Sequence, residues 1–315
     1  MTSPALTLFG KLPSAGDFVR IGPQPDAVRV FNEWVERGLF VAQNRLGDAW
    51  EANLAWMPTW SFLFAPPDCA HVLVGAARFS SDRVGRTYPF CAALLLDRAS
   101  LDPREAPAWP VRWQYFQEHA AYFVERAVVE AISPDHLAAD LQQLAAAAVP
   151  VPLDAHRDRL AATPSADVWA ATWQDQPEVY AGVSLAQLAA HLVPLRQRDP
   201  SRFPLGLRCA LPAGAADRAS NVALWCEMAW ALLGSPPLWP SLFWVAGDYA
   251  PSDLLLFLQS PLPQAFPALL DAQVAYDRVL PLDYASGAVP PVALPVDLAE
   301  PGLSLSAVIE GLRLL

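Results

Sequence analysis

Two short segments hold the residues best suited to chemistry. The first is Gly10-Lys11-Leu12-Pro13-Ser14-Ala15-Gly16-Asp17-Phe18-Val19-Arg20. A glycine loop with a lysine directly after a strand invites comparison with a phosphate cradle. The order is wrong for one, because a P-loop places its Lys-Ser/Thr after the second glycine, where side chain and helix N-terminus converge on one phosphate. Here the lysine comes first and Asp17 follows the second glycine, so its carboxylate would repel an anion. The same residues also suit a rigid loop: Pro13 fixes the backbone, the glycines permit special dihedrals and Phe18 anchors.

The second segment is Ser80-Ser81-Asp82-Arg83-Val84-Gly85-Arg86-Thr87-Tyr88-Pro89-Phe90. Arg83 and Arg86 could grip a carboxylate or phosphate in bidentate fashion. They could equally pair with Asp17 or Asp82 inside the protein and fix the loop, a common use of planar guanidinium forks. The expectation taken forward is a charged cluster of Asp17, Arg83 and Arg86 that holds the two loops together. The alternative is a hydrolase or phosphate-ester enzyme whose anion site is Lys11, Arg83 and Arg86.

Other constellations are sparse. His71, His119, His136, His156 and His191 stand at no metal-ligand spacing. Ser14 and Ser81 have no local base to activate them, and no GxSxG elbow occurs. The sequence therefore points to no catalysis, metal or cofactor. Twelve tryptophans are present, most of them suited to the core. Trp239, on a proline-rich loop, is the candidate for an exposed protein-binding patch.

The elements that must position these groups follow from composition and pattern. The 315 residues are 54% hydrophobic and 17% charged, enough apolar material for a large core. A net charge of -11 argues against a nucleic-acid surface, since phosphate binding depends on released counterions. The N-terminus lacks a secretory pattern. The uncharged run Met228–Gly247 is interrupted by Pro236, Pro237 and Pro240, which rules against a membrane span. Four cysteines without CxxC spacing fit reduced core thiols and a cytoplasmic location.

Alternation and turn residues predict strands over 5–12, 60–64, 71–79 and 90–96, with a helix over 27–41 whose apolar face is Val28, Phe31, Trp34, Val35 and Leu39. Helices follow over 113–132 and 134–148, the latter capped by Ser133. Residues 149–199 read as a connector with short helices, clearest at 184–192. Strands are then expected at 205–211, 242–246 and 253–258, and helices at 220–233 and 263–270. A proline-rich tail over 281–300 is expected to lie extended on the surface. The result is an α/β three-layer sandwich with a mixed, partly antiparallel sheet and helices on both faces. The expected units are 1–148, the 149–199 connector and a smaller C-terminal α/β region over 200–315. Whether the later strands extend the first sheet or build another is left open by the sequence.

Taken together, Gly10-Lys11-Leu12-Pro13 with Gly16-Asp17-Phe18-Val19-Arg20, and Ser81-Asp82-Arg83-Val84-Gly85-Arg86 with Pro89-Phe90, resemble the TagF (ImpM) family that accompanies bacterial type VI secretion systems. The Trp34 helix and Trp56-Met57-Pro58-Thr59-Trp60 lie between the motifs in the family's order. The resemblance covers residues 5–130 and, more weakly, 200–275. The helix reads Phe31-Asn32-Glu33-Trp34 where many members carry a Trp-Asp pair. The resemblance implies a non-catalytic cytoplasmic protein, a post-translational repressor of secretion assembly that binds a forkhead-associated (Fha) scaffold. Lys11, Asp17, Phe18, Arg20, Asp82, Arg83, Arg86 and Trp239 are its candidate partner-binding or motif residues.

Overall fold

A computed structural model describes residues 4–47, 50, 54, 57–173, 176–212, 217–234, 236, 238–247, 252–271, 278–282, 298, 300 and 302–315. Trp56 and most of the expected proline-rich tail lie outside these.

The strands are β1 (Ala5–Gly10), β2 (Val19–Ile21), β3 (Trp60–Phe64), β4 (His71–Ser81), β5 (Thr87–Asp97), β6 (Gly206–Leu211), β7 (Ser241–Val245), β8 (Ser252–Phe257) and β9 (Val279–Pro281). The helices are α1 (Asp26–Leu46), α2 (Trp109–Arg112), α3 (Gln114–Val129), α4 (Pro134–Ala146), α5 (Asp154–Ala162), α6 (Ser165–Thr172), α7 (Pro177–Leu192), α8 (Arg218–Leu233), α9 (Pro267–Leu270) and α10 (Leu305–Arg313).

All nine described strands form one sheet in the order β2-β1-β5-β4-β3-β7-β8-β6-β9. The C-terminal strands thus extend the first sheet. The junction is the antiparallel pair β3–β7, which runs from Trp60 opposite Val245 to Leu63 opposite Leu242. Only β6–β9 is parallel among the described pairs.

Side chains alternate across a strand, so each strand feeds two cores. In β3, Phe62 and Phe64 point to one face and Leu63 to the other. The first face is covered by α1 and the Pro263–Leu270 segment, with Phe31, Trp34, Phe243 and Phe266 packed together. The Trp34 indole N–H donates to the Leu262 carbonyl at 3.3 Å, which ties α1 to the C-terminal half. On the second face α3, α7 and α8 contribute Phe116, Leu185 and Trp225. Helices on both faces of a mixed, mostly antiparallel sheet make the three-layer arrangement.

The stretch 149–199 is more regular than a connector with short helices. It contains α5, α6 and the 16-residue α7. Eight residues of α7 are buried, Ala181, Leu185, Leu188 and Leu192 among them. A helix buried on more than one side has little apolar periodicity to read, which is why its full length does not appear in the sequence pattern.

Candidate functional site

The two motif segments meet. β4 and β5 form a hairpin paired from His71–Asp97 to Ser81–Thr87, and the second motif is its turn. Asp82 donates its N–H to the Arg86 carbonyl at 3.1 Å, and Gly85 takes the positive φ of 85° that closes the turn. The first motif leaves β1 through Gly10, at φ 127°. A Cβ there would lie 2.1 Å from the Pro89 carbonyl oxygen, so β1 can lie this close to β5 only because the residue is glycine.

Asp82 is the hub between the loops. Only 3% of the residue is exposed. Its Oδ1 accepts the backbone N–H groups of Val84 at 3.1 Å and Arg86 at 2.9 Å. Its Oδ2 accepts Arg86 Nε at 2.7 Å and lies 3.3 Å from Lys11 Nζ. Burial alone would raise this carboxyl's pKa. The Arg86 backbone N–H and guanidinium and the Lys11 ammonium outweigh burial and hold it at about 2.

The arginines complete the clamp through backbone carbonyls. Arg86 Nη2 donates to the Gly16 carbonyl at 3.0 Å. Arg83 donates its guanidinium to the Ser14 carbonyl and its backbone N–H to the Ala15 carbonyl. Ser14 Oγ in turn donates to the Ile132 carbonyl at 2.7 Å, beyond the end of α3.

The expected cluster of Asp17, Arg83 and Arg86 is therefore corrected in its members. Asp17 has a side chain 90% exposed, and its carboxylate stands 3.7 Å from Arg86 at the outer edge. Arg83 meets carbonyls, and among the described residues no carboxylate lies within ion-pair reach of it. The alternative anion site is also accounted for by the geometry, because the Asp82 carboxylate already sits between Lys11 and Arg86. Both aspartates are legible as candidates in the sequence. Which is internal depends on the hairpin register, which carries Asp82 inward.

Phe18 packs edge-on against Tyr88 with ring centroids 5.1 Å apart, and the Arg20 guanidinium lies 4.5 Å from the Phe18 ring centre. The Tyr88 hydroxyl donates to Asn32 Oδ1 at 2.6 Å on α1, and burial pushes its pKa up. The outer surface of the paired loops exposes Asp17, Arg20 and Val84, with Val84 70% exposed, while Phe18 is half-buried. Trp239 is remote from these residues in the sequence. It is half-buried against Trp109, with ring centroids 4.6 Å apart.

Residues 7–144, which include both motifs, match the model of the TagF N-terminal domain, described as type VI secretion system-associated. The chain carries a TagF N-terminal domain. The Asp82 hub and the surface around Phe18 both belong to this TagF domain. The crystal structure of PA0076 from Pseudomonas aeruginosa PAO1 superimposes with a TM-score of 0.50 at 19% identity, covering 88% of this chain and 98% of that one. The likeness is one of fold, and it extends well beyond the TagF domain. No curated protein sequence matches the chain. The TagF assignment places the protein with type VI secretion, and among the described residues no helix is long and apolar enough to cross a membrane.

Sequence reasoning missed a second polar feature. Gln117, on α3, is buried at the floor of a cleft outside the motif loops. The available signal was a polar residue between Phe116 and Ala120–Ala121, on the helix face that turns inward.

Proposed function

We propose that the protein is a non-catalytic cytoplasmic regulator that represses type VI secretion assembly after translation by binding a forkhead-associated (Fha) scaffold protein. The observation that carries this reading is the TagF domain whose two motif loops are locked by one buried carboxylate. Lys11 and Arg86 spend their charge on Asp82, so the loops form a fixed platform rather than a receptive anion pocket. Rigid surfaces with exposed aliphatic and arginine groups beside a half-buried aromatic suit protein recognition, because little conformational freedom is lost on binding.

The platform residues Phe18, Arg20 and Val84 are the proposed contacts. The test is binding of the purified protein to the purified Fha scaffold, together with affinity capture from cytosol under secretion-silent and secretion-active growth. Direct binding that is lost in Val84→Asp and Arg20→Glu, with capture mainly in the silent state, is the expected result. No interaction in either format overturns the proposal.

A further inference from the structure

A cleft of about 660 Å³ lies over the seam of the sheet, between α3 and the start of α8. Its floor includes Ser61 of β3 and Trp244 of β7, which are register partners across the junction. Gln117 lines it with only 3% of its surface exposed, and among the described residues neither carboxamide atom has a hydrogen-bond partner. A buried amide with both ends unsatisfied is rare in a folded protein and needs a reason.

The rim is acidic. Glu125 stands 4.0 Å from Arg78, and Asp217 stands 3.4 Å from Arg159. Arg218 is buried in the wall. Glu118 has no cation at ion-pair distance among the described residues, and burial raises its carboxyl above the ordinary value against the opposing pull of His119. Tyr122 lines the cleft, and Tyr115, seven residues away, is exposed on the same face of α3 outside the lining.

We propose that this cleft binds a basic peptide segment of a partner protein, with one peptide group paired to the Gln117 carboxamide and one arginine or lysine side chain against Glu118. The carboxamide offers a donor and an acceptor side by side, and a peptide group offers the matching acceptor and donor. An unneutralised carboxylate at the rim, on a chain of net charge -11, selects a cation and disfavours a phosphate-bearing ligand. Tyr115 lies outside the cleft lining on the α3 face that carries Glu118 and Tyr122, so it offers an aromatic contact to a ligand that continues past the cleft, as a peptide chain does. The proposal uses none of the motif-loop residues, so its failure leaves the scaffold-binding reading standing.

The test titrates the full-length protein with acetyl-Ala-Arg-Ala-amide, acetyl-Ala-Glu-Ala-amide and AMP, followed by calorimetry or NMR. Binding of the arginine peptide with a Kd of about 1 mM, and of the glutamate peptide about tenfold more weakly, is expected for a short probe. Gln117→Leu is expected to weaken the arginine peptide about tenfold while leaving Tm unchanged or higher, since an unsatisfied amide is removed. Glu118→Gln, a substitution at the rim that does not threaten folding, is expected to abolish the preference for arginine over glutamate. The proposal is overturned if the arginine peptide does not bind at about 10 mM, if both peptides bind equally, if AMP binds instead, or if Glu118→Gln keeps the preference.

Discussion

Arg86 holds Asp82 from two directions, with its backbone N–H on Oδ1 at 2.9 Å and its Nε on Oδ2 at 2.7 Å. One residue thereby serves as both the end of a turn and the counterion of that turn's buried acid. Removing the carboxylate leaves Arg86 and Lys11 without their partner together, so the effect on the loops should be cooperative.

Asp82→Asn is expected to lower Tm and to increase amide exchange over Gly10–Arg20, a segment it touches only through Lys11 and Arg86. The pH dependence has a definite sign. The folded carboxyl, at about 2, lies below its ordinary 3.8, so its stabilisation is present above pH about 4 and is lost as pH falls toward 2. Urea unfolding of wild type and variant across that range should converge at the acid end. A constant gap would remove Asp82 as the source.

A double-mutant cycle separates the hub from the edge. Lys11→Ala with Asp82→Ala should be strongly non-additive, because the two side chains meet at 3.3 Å. Asp17→Ala with Arg83→Ala should add to within about 0.5 kcal/mol, as for groups that share no partner. Coupling between Asp17 and Arg83 would restore the cluster expected from the sequence.

Gly10→Ala tests the contact between β1 and β5. The added methyl would meet the Pro89 carbonyl at 2.1 Å while the backbone is held at φ 127°. A loss of about 2 kcal/mol or more is expected in denaturant unfolding. Gly16→Ala, where nothing lies within 4 Å of the new carbon and no left-handed φ is needed, is the matched control and should be nearly neutral.

His156 supplies a second and separate pH window. It is 4% exposed, and burial, reinforced by Arg159 and Arg157, lowers its pKa from 6.5 to about 4. The unfolded chain therefore binds a proton that the folded one refuses, and stability present above pH about 6.5 declines as pH falls toward 4. His156→Leu should flatten thermal stability across that interval while leaving the more acidic Asp82 transition in place.

Much of this architecture is written locally. Alternation marks β3, β4 and β5, and the spacing of Phe31, Trp34 and Val35 marks the inward side of α1. The junction of β3 with β7 is not local, since Trp60 and Val245 are far apart along the chain and alternation says which face a residue takes but not which strand lies beside it. β2 is three residues long, too short for a pattern. In the site, residue types identify Lys11, Asp82 and Arg86 as candidates, whereas the choice of Asp82 over Asp17 comes from register. Gln117 is obscured for a different reason: its isolation is a property of the space around it, which no neighbour in the chain records.

The pairing of β3 with β7 has a consequence for any fragment of this protein. A piece ending near residue 144, where the TagF match ends, would keep β3 but lose the strand that covers its outer side. All five residues of β3 are buried in the intact chain. In the fragment, that strand would be a bare, apolar sheet edge with unpaired N–H and C=O groups, open to pairing with a second copy and to aggregation. β7 therefore acts toward the N-terminal half as a built-in donor strand. The stretch that the TagF match covers is therefore shorter than the stretch that closes this sheet edge.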